Sequence, residues 1–376
     1  VKILYFTRDY SPHDDRFLSA LGQSEHQIYL LRLEGNPGAQ KNRTLPNRVS
    51  EVFWLGGKRP QAWIDYPALL VDLQRVIRQV QPDIIHAGPI QSVASLVAQT
   101  GFKPLVSMSW GSDLLVDADS SAWMRWMTRF TLQKTSVLVG DCQAISQKAQ
   151  TFGFPEERIV LFPWGVDLQH FSPGSGNALR KKLGWNKAFI LLCVRSWEPL
   201  YGVDLVVRTF VQAVQAEPRL RLILLGGGSQ EEEIKGLVEK NGLQEVIHFG
   251  GQVGLEDLPD YYRAADLYVS ASHSDGSSVS LMEALACGKP ALVSDIPGNR
   301  EWITNEETGW LFKDNDEREL IEEMLAASHR KDLENIGKNA RFLASQRANW
   351  NQNSKKLLEA YELAKKVESK GKQRKK

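Results

Sequence analysis

Short, uninterrupted apolar runs alternate with longer amphipathic stretches along the chain, and this rhythm restricts the fold more than any other feature. In the first half the runs are VKILYF (1–6), HQIYLLRL (26–33), DIIHAG (83–88), PLVSMSW (104–110), SVLVGD (136–141) and RIVLFPWG (158–165). In the second they are FILLCVRS (189–196), RLILLGGG (221–228), VIHFGG (246–251), DLYVSAS (266–272), PALVSD (290–295) and GWLFKD (309–314). A strand with one wet face alternates polar and apolar residues. A run that is apolar throughout predicts a strand covered on both faces, as in a parallel sheet flanked by helices. Intervening stretches such as YPALLVDLQRVIRQVQ (66–81) carry apolar residues at helical spacing. The rhythm occurs twice, which predicts two open α/β units with parallel sheets.

Length agrees, since 376 residues exceed one ordinary domain. FSPGSGNALRKKLGWNK (171–187) reads as the joint, because Gly, Pro and Ser crowd its start. The expected division is a first domain over 1–170, a second over 171–347, a closing helix over 348–367 and a frayed basic tail over 368–376. A formal net charge of +1 provides no field that favours nucleic acid. Cys142, Cys193 and Cys287 are too scattered for a metal site or a disulfide framework, which favours a reducing compartment. No apolar run reaches the ~18 residues of a membrane span. The first run is strand-like rather than a leader. A cytoplasmic protein is expected.

In open α/β sheets, ligands bind where strand ends pass through loops into helices. The stretch SASHSDGSSVSLMEALACGKPALVSDIPGNRE (270–301) is such a passage, with two acids, Asp275 and Glu283, around a run of small residues. Backbone amides at the start of a helix lack intrahelical acceptors and face an end of partial positive charge. Gly276, Ser277, Ser278 and Val279 therefore suit a diphosphate. Carboxylates accept hydrogen bonds from vicinal hydroxyls, so Asp275 and Glu283 suit sugars at either end of that anion.

This stretch resembles the donor-binding signature of the retaining glycosyltransferases of family 4. In that family two Glu residues flank seven others, ahead of a small-residue helix that contains Ala-Cys-Gly. Asp275 stands for the first Glu and Glu283 for the second. FPEERIVLFPWGVDLQHFSP (154–173) resembles the segment that ends the first domain of these enzymes. The resemblance covers most of the chain. It implies the GT-B fold, two Rossmann-like parallel-sheet domains facing a cleft. The first would lie on the acceptor side, the second would hold the nucleotide-sugar donor, and the closing helix would cross back to the first. The implied reaction moves a hexose, glucose foremost, from a UDP-sugar to a hydroxyl of a glycan or lipid-linked acceptor, as in polysaccharide or glycoconjugate synthesis. Configuration would be retained, with neither cofactor nor metal.

By the same resemblance, Arg195 neutralises the leaving diphosphate and Asp275 acts at the transferring sugar. Gly276, Ser277, Ser278 and Val279 cradle the phosphates, and Glu283 holds the ribose. Gly228, in LLGGGSQEEEIKGLV, lies on the nucleotide side and Val253 near the base. The family carries a Lys immediately before Gly202, where this chain has Tyr201; Arg300 is a candidate substitute. On the acceptor side, FTRDYSPHDDRF (6–17) offers His13, Asp14 and Arg16 as polar groups with no evident structural need. His86, Trp110 and Asp113 end other strands there. His13 is the alternative for the catalytic-side imidazole, since Gly88 replaces the family's second His.

Two further readings of the function are a nucleotide-sugar epimerase or phosphorylase on the same fold, and a non-catalytic nucleotide-sugar-binding protein. Asp117-Ala118-Asp119 mimics a metal-binding DxD and is read as ordinary loop acids. SSAWMRWMTRFTLQK (120–134) reads as a packed helix. Its sharper alternative is a peripheral contact on the inner membrane face.

Overall fold

Each apolar run becomes a parallel strand in the computed structural model, which describes residues 1–35 and 44–373. In the first half these are β1 (Lys2–Thr7), β2 (Gln27–Arg32), β3 (Val49–Glu51), β4 (Ile84–Gly88), β5 (Leu105–Met108), β6 (Val137–Gly140) and β7 (Ile159–Leu161). They pair in the order β3-β2-β1-β4-β5-β6-β7. The second half supplies β8 (Phe189–Val194), β9 (Leu220–Leu225), β10 (Ile247–Gly251), β11 (Leu267–Ser270), β12 (Ala291–Ser294) and β13 (Gly309–Phe312), in the order β10-β9-β8-β11-β12-β13. Only β3 has no apolar run to announce it. It is three residues of half-exposed edge strand, VSE.

Alternate residues of one strand feed opposite layers, which is why the runs are apolar throughout. On β8, Ile190 and Leu192 pack with Tyr268, Leu281 and Trp302 on one face. Leu191 and Cys193 pack with Val206, Phe210 and Leu320 on the other. Both sheets reverse their winding direction once, between β1 and β4 and between β8 and β11. The loops diverge at such a switch point and leave a crevice at the carboxyl ends of the strands.

The chain divides into Val1–Phe162 with Ser354 onward, and Pro163–Asn353. The break therefore falls before the predicted joint. Phe162 still bonds to the first sheet, its amide donating to the Gly140 carbonyl at 3.0 Å. Val166 already belongs to the second unit: its amide reaches the Ala348 carbonyl at 2.7 Å, and its carbonyl accepts from Trp350. Phe171 is buried in the second core and Asn177–Lys182 is helical, so 171–187 is part of that unit rather than a linker. The Gly and Pro residues there serve close packing. A Cβ on Gly176 would lie 2.3 Å from the Ala264 backbone.

The closing helix also differs from expectation. It runs Lys355–Gln373 and packs on β5, β6 and β7. The tail predicted to fray from 368 is helical through Gln373, and 374–376 lie outside the described residues. Glu368 anchors it, accepting from the Ser136 hydroxyl at 2.7 Å and pairing with Lys103 at 3.3 Å. Among the described residues no helix is long and apolar enough to cross a membrane.

Candidate active site

The switch point of the second unit lies between β8 and β11, and the chain leaves those strands through Arg195 and through 271–278. The two loops meet. The Arg195 guanidinium pairs with Asp275 at 2.7 Å and donates to the Ser278 hydroxyl at 2.7 Å and to that of Ser280 at 3.3 Å. Only 10% of its side chain is exposed. Burial disfavours its charge, and the Asp275 carboxylate more than restores it, so the guanidinium pKa lies above its ordinary value. Its Nε–H is buried with no hydrogen-bond partner among the described residues. A fixed cation with an uncommitted donor at a strand-end crevice is suited to an anion.

Tyr201 occupies the place of the missing Lys. Its ring lies under the Arg195 guanidinium, 4.2 Å from centroid to Cζ. Arg195 is therefore held by a carboxylate, two hydroxyls and an aromatic face, and its orientation is set before any ligand arrives. Arg300, the candidate substitute, forms a bidentate pair with Asp295 at the surface.

The helix Val279–Ala286 begins beside Arg195, with Ser278 as its N-cap. Ser277 accepts from the Trp302 indole at 3.4 Å, and Ser280 shares a hydrogen bond with Tyr268 at 2.8 Å. These serines are buried because the next loop presses on them. A Cβ on Gly298 would lie 2.3 Å from the Gly276 carbonyl oxygen, so only glycine fits there. Glu283, one turn into the helix and 7% exposed, accepts from the Tyr262 hydroxyl at 2.7 Å. The fold thus brings Arg195, Asp275, Gly276, Ser277, Ser278, Val279 and Glu283 into one neighbourhood. Sequence reasoning passed over Tyr262, Tyr268 and Trp302, buried side chains of apolar appearance whose polar tips orient the site.

The other nucleotide-side candidates have a different character. Gly228 is glycine because Trp197 and Glu198 pass behind it, with the Trp197 carbonyl 2.5 Å from a would-be Cβ. The adjoining Ser229 amide donates to Glu198 at 2.9 Å, so this loop is tied to the chain's own carboxylate. Val253 packs against the second core, just past the Gly251 carbonyl that accepts from Gly226 at 2.7 Å.

In the first unit three predicted site residues are hydrogen-bonded within the fold. Asp14 is the N3 member of a capping box with Ser11, and it also accepts from Tyr5 at 2.9 Å. Asp113 is buried and accepts from Ser109, the Trp110 and Leu114 amides and the Ile90 amide, which closes the β4 and β5 loops. His86 lies within β4 rather than at its mouth. Its Nδ1 shares a 2.8 Å hydrogen bond with Tyr361 of the closing helix, and burial pushes its pKa down to about 3. Gly88 is held small by the Met108 carbonyl, 2.5 Å from a would-be Cβ. His13 and Trp110 remain near the strand ends, their rings 6.0 Å apart. Asp119 pairs with Arg125 and Lys148. Among the described residues no group of three or more His, Cys, Asp or Glu side chains is placed to hold a metal ion.

Comparison with known proteins finds family models that match each unit. The family model described as "Glycosyltransferase Family 4" matches residues 15–170, and "Glycosyl transferases group 1" matches 176–342. A D-inositol 3-phosphate glycosyltransferase of Kineococcus radiotolerans is 32% identical over 186 residues, 44% of this chain and 43% of its own. The chain spans less than half the length of the curated relatives it matches. Among solved structures, Anabaena HepE in complex with UDP-glucose superposes with a TM-score of 0.77 at 18% identity, covering 96% of this chain and 99% of that one. Sucrose-phosphate synthase from Thermosynechococcus elongatus gives a TM-score of 0.76 at 18% identity, covering 96% and 98%. The two family models between them take in both units, and the chain belongs to the family 4 glycosyltransferases of GT-B fold.

Proposed function

We propose that this protein transfers a hexose, glucose foremost, from a UDP-sugar to a hydroxyl of a glycan or lipid-linked acceptor, with retention of configuration. The observation that carries the reading is the pre-held Arg195, paired with Asp275 and Ser278 at the start of the Val279–Ala286 helix. Negative charge grows on the diphosphate as the glycosidic bond breaks. A buried guanidinium and the positive end of a helix stabilise that charge without reorganising. Glu283, oriented by Tyr262, receives the ribose hydroxyls. Asp275 is engaged with Arg195 rather than aimed as a nucleophile. That suits attack by the acceptor on the face the diphosphate leaves, with the diphosphate oxygen taking the acceptor's proton.

UDP and UDP-glucose complexes of a structural relative support the donor assignment. The paired state of Asp119 and the basic Arg195 support turnover without a metal. Buried thiols at Cys142, Cys193 and Cys287 suit the cytoplasm. The test is incubation with UDP-glucose and a panel of glycan and lipid-linked acceptors, with the anomeric configuration of the product read by NMR. An α-linked product is expected. Free epimerised UDP-sugar, sugar phosphate, or binding without turnover across the panel would each refute the reading.

A further inference from the structure

The helix Ala122–Lys134 of the first unit buries Met127, Thr128, Thr131 and Leu132. Its other face carries Trp123 and Trp126, 53% and 52% exposed. Their rings stack at 5.0 Å, and Trp126 stacks in turn on Phe130 at 5.6 Å. Single exposed apolar side chains are ordinary, but a contiguous aromatic patch is not. These rings form one wall of an open groove of about 650 Å³, with Tyr66, Pro67 and Leu70 opposite. Ile64, just ahead of that second wall, is 87% exposed.

On the helix itself the charges share one sign, and the neighbouring acids Asp119 and Asp65 are paired with Arg125 and Arg59. The helix bears Arg125, Arg129 and Lys134 and no acid, and the Lys134 ammonium lies 6.0 Å from the Phe130 ring. Its carboxyl end meets the end of the closing helix, where Ser136 bonds to Glu368 and Arg158 bonds to the carbonyls of Ser136 and Thr135. After Glu368 the sequence reads SKGKQRKK, basic and without acids. Besides Gln99, the polar groups of the groove lining are the Tyr66 hydroxyl and the Trp123 and Trp126 indole N–H groups, amphipathic tips of the kind that settle at a lipid headgroup boundary.

We propose that this face docks on an anionic lipid bilayer. The helix lies in the headgroup plane, with Trp123, Trp126 and Phe130 entering the acyl boundary and the Arg129 and Lys134 heads reaching the phosphates. Indole rings favour that boundary, and clustered cations add attraction to anionic lipid. The inference rests on the surface of the first unit alone and is independent of the proposed activity.

Vesicle flotation tests it, using phosphatidylcholine alone and phosphatidylcholine with roughly one third phosphatidylglycerol. The parent protein is expected to float with the anionic vesicles and weakly or not at all with neutral ones. Trp123→Ala with Trp126→Ala should lower the partition coefficient about tenfold or more. Arg129→Gln with Lys134→Gln should remove most of the dependence on salt. Quenching by brominated acyl chains, present in the parent and lost in Trp123→Phe with Trp126→Phe, locates the contact even if affinity is little changed. Absence of binding by the parent, or equal binding by parent and Trp→Ala variant, overturns the proposal. So does a parent dimer that the Trp→Ala changes dissociate, because the patch would then join two copies of the chain.

Discussion

His86 offers a test of the first unit in which the magnitude follows from its surroundings. The imidazole is 2% exposed, 4.7 Å from the Tyr5 ring and bonded to Tyr361. No acid is among these contacts; the Asp14 carboxylate reaches Tyr5 rather than the imidazole. Burial holds the folded pKa at about 3, against 6.5 in the unfolded chain. The unfolded chain therefore takes up a proton that the folded chain refuses, and stability falls as pH drops from 6.5 toward 3. With those two values the loss between about pH 7 and about pH 4 is roughly 3 kcal/mol, close to 1.4 kcal/mol per pH unit in the steep part. Asp14 and Asp113 act with the opposite sign, because burial raises their folded pKa and favours the folded state in acid. The parent alone thus gives a mixed slope, and the comparison must be with His86→Gln, which keeps the polarity and removes the titration. Urea unfolding at about pH 7, 5.5 and 4, followed by hydrogen-exchange protection in β1 and β4, isolates this unit. The stability gap between parent and variant should narrow by about 3 kcal/mol from pH 7 to pH 4. A gap that stays constant over that range would refute the reasoning.

Glu283→Ala should weaken UDP binding by about 1.5–3 kcal/mol, the worth of hydrogen bonds to a charged group, and calorimetry with unchanged affinity would remove Glu283 from the ribose. Tyr201→Phe should leave turnover near that of the parent, because the ring under Arg195 is kept, whereas Tyr201→Leu should lower kcat more than it raises KM for the donor. Equal rates for Phe and Leu would show that the ring does not position Arg195. Transfer should survive excess EDTA, and Asp117→Asn with Asp119→Asn should leave donor affinity within a few fold. Loss of activity on chelation, restored by Mg²⁺, would return these acids to the site.

The sequence by itself determined the elements and the anion-binding edge. Runs such as FILLCVRS are legible because burial on both faces of a parallel strand leaves no polar position, whatever the neighbouring strand. The Asp275–Glu283 stretch is equally legible, since strand, small-residue turn and helix start are consecutive in the chain. Tertiary structure alone decided which polar residues are free to act. His86 and Asp113 looked available because Tyr361 and the Ile90 amide are invisible as partners in a linear reading, whereas the Ser11–Asp14 capping box is local and was overlooked. Tyr361 lies 275 residues from His86, and Asp113 answers the Ile90 amide in a different loop. Tyr201 is the counterpart. In the sequence it marks a missing cation, but in the fold its ring steadies the cation that remains. Strand formation depends on hydrophobicity that each segment carries with it. The role of a polar side chain depends on which donors and acceptors the fold places within about 3 Å of it, and that is known only once the segments have been assembled.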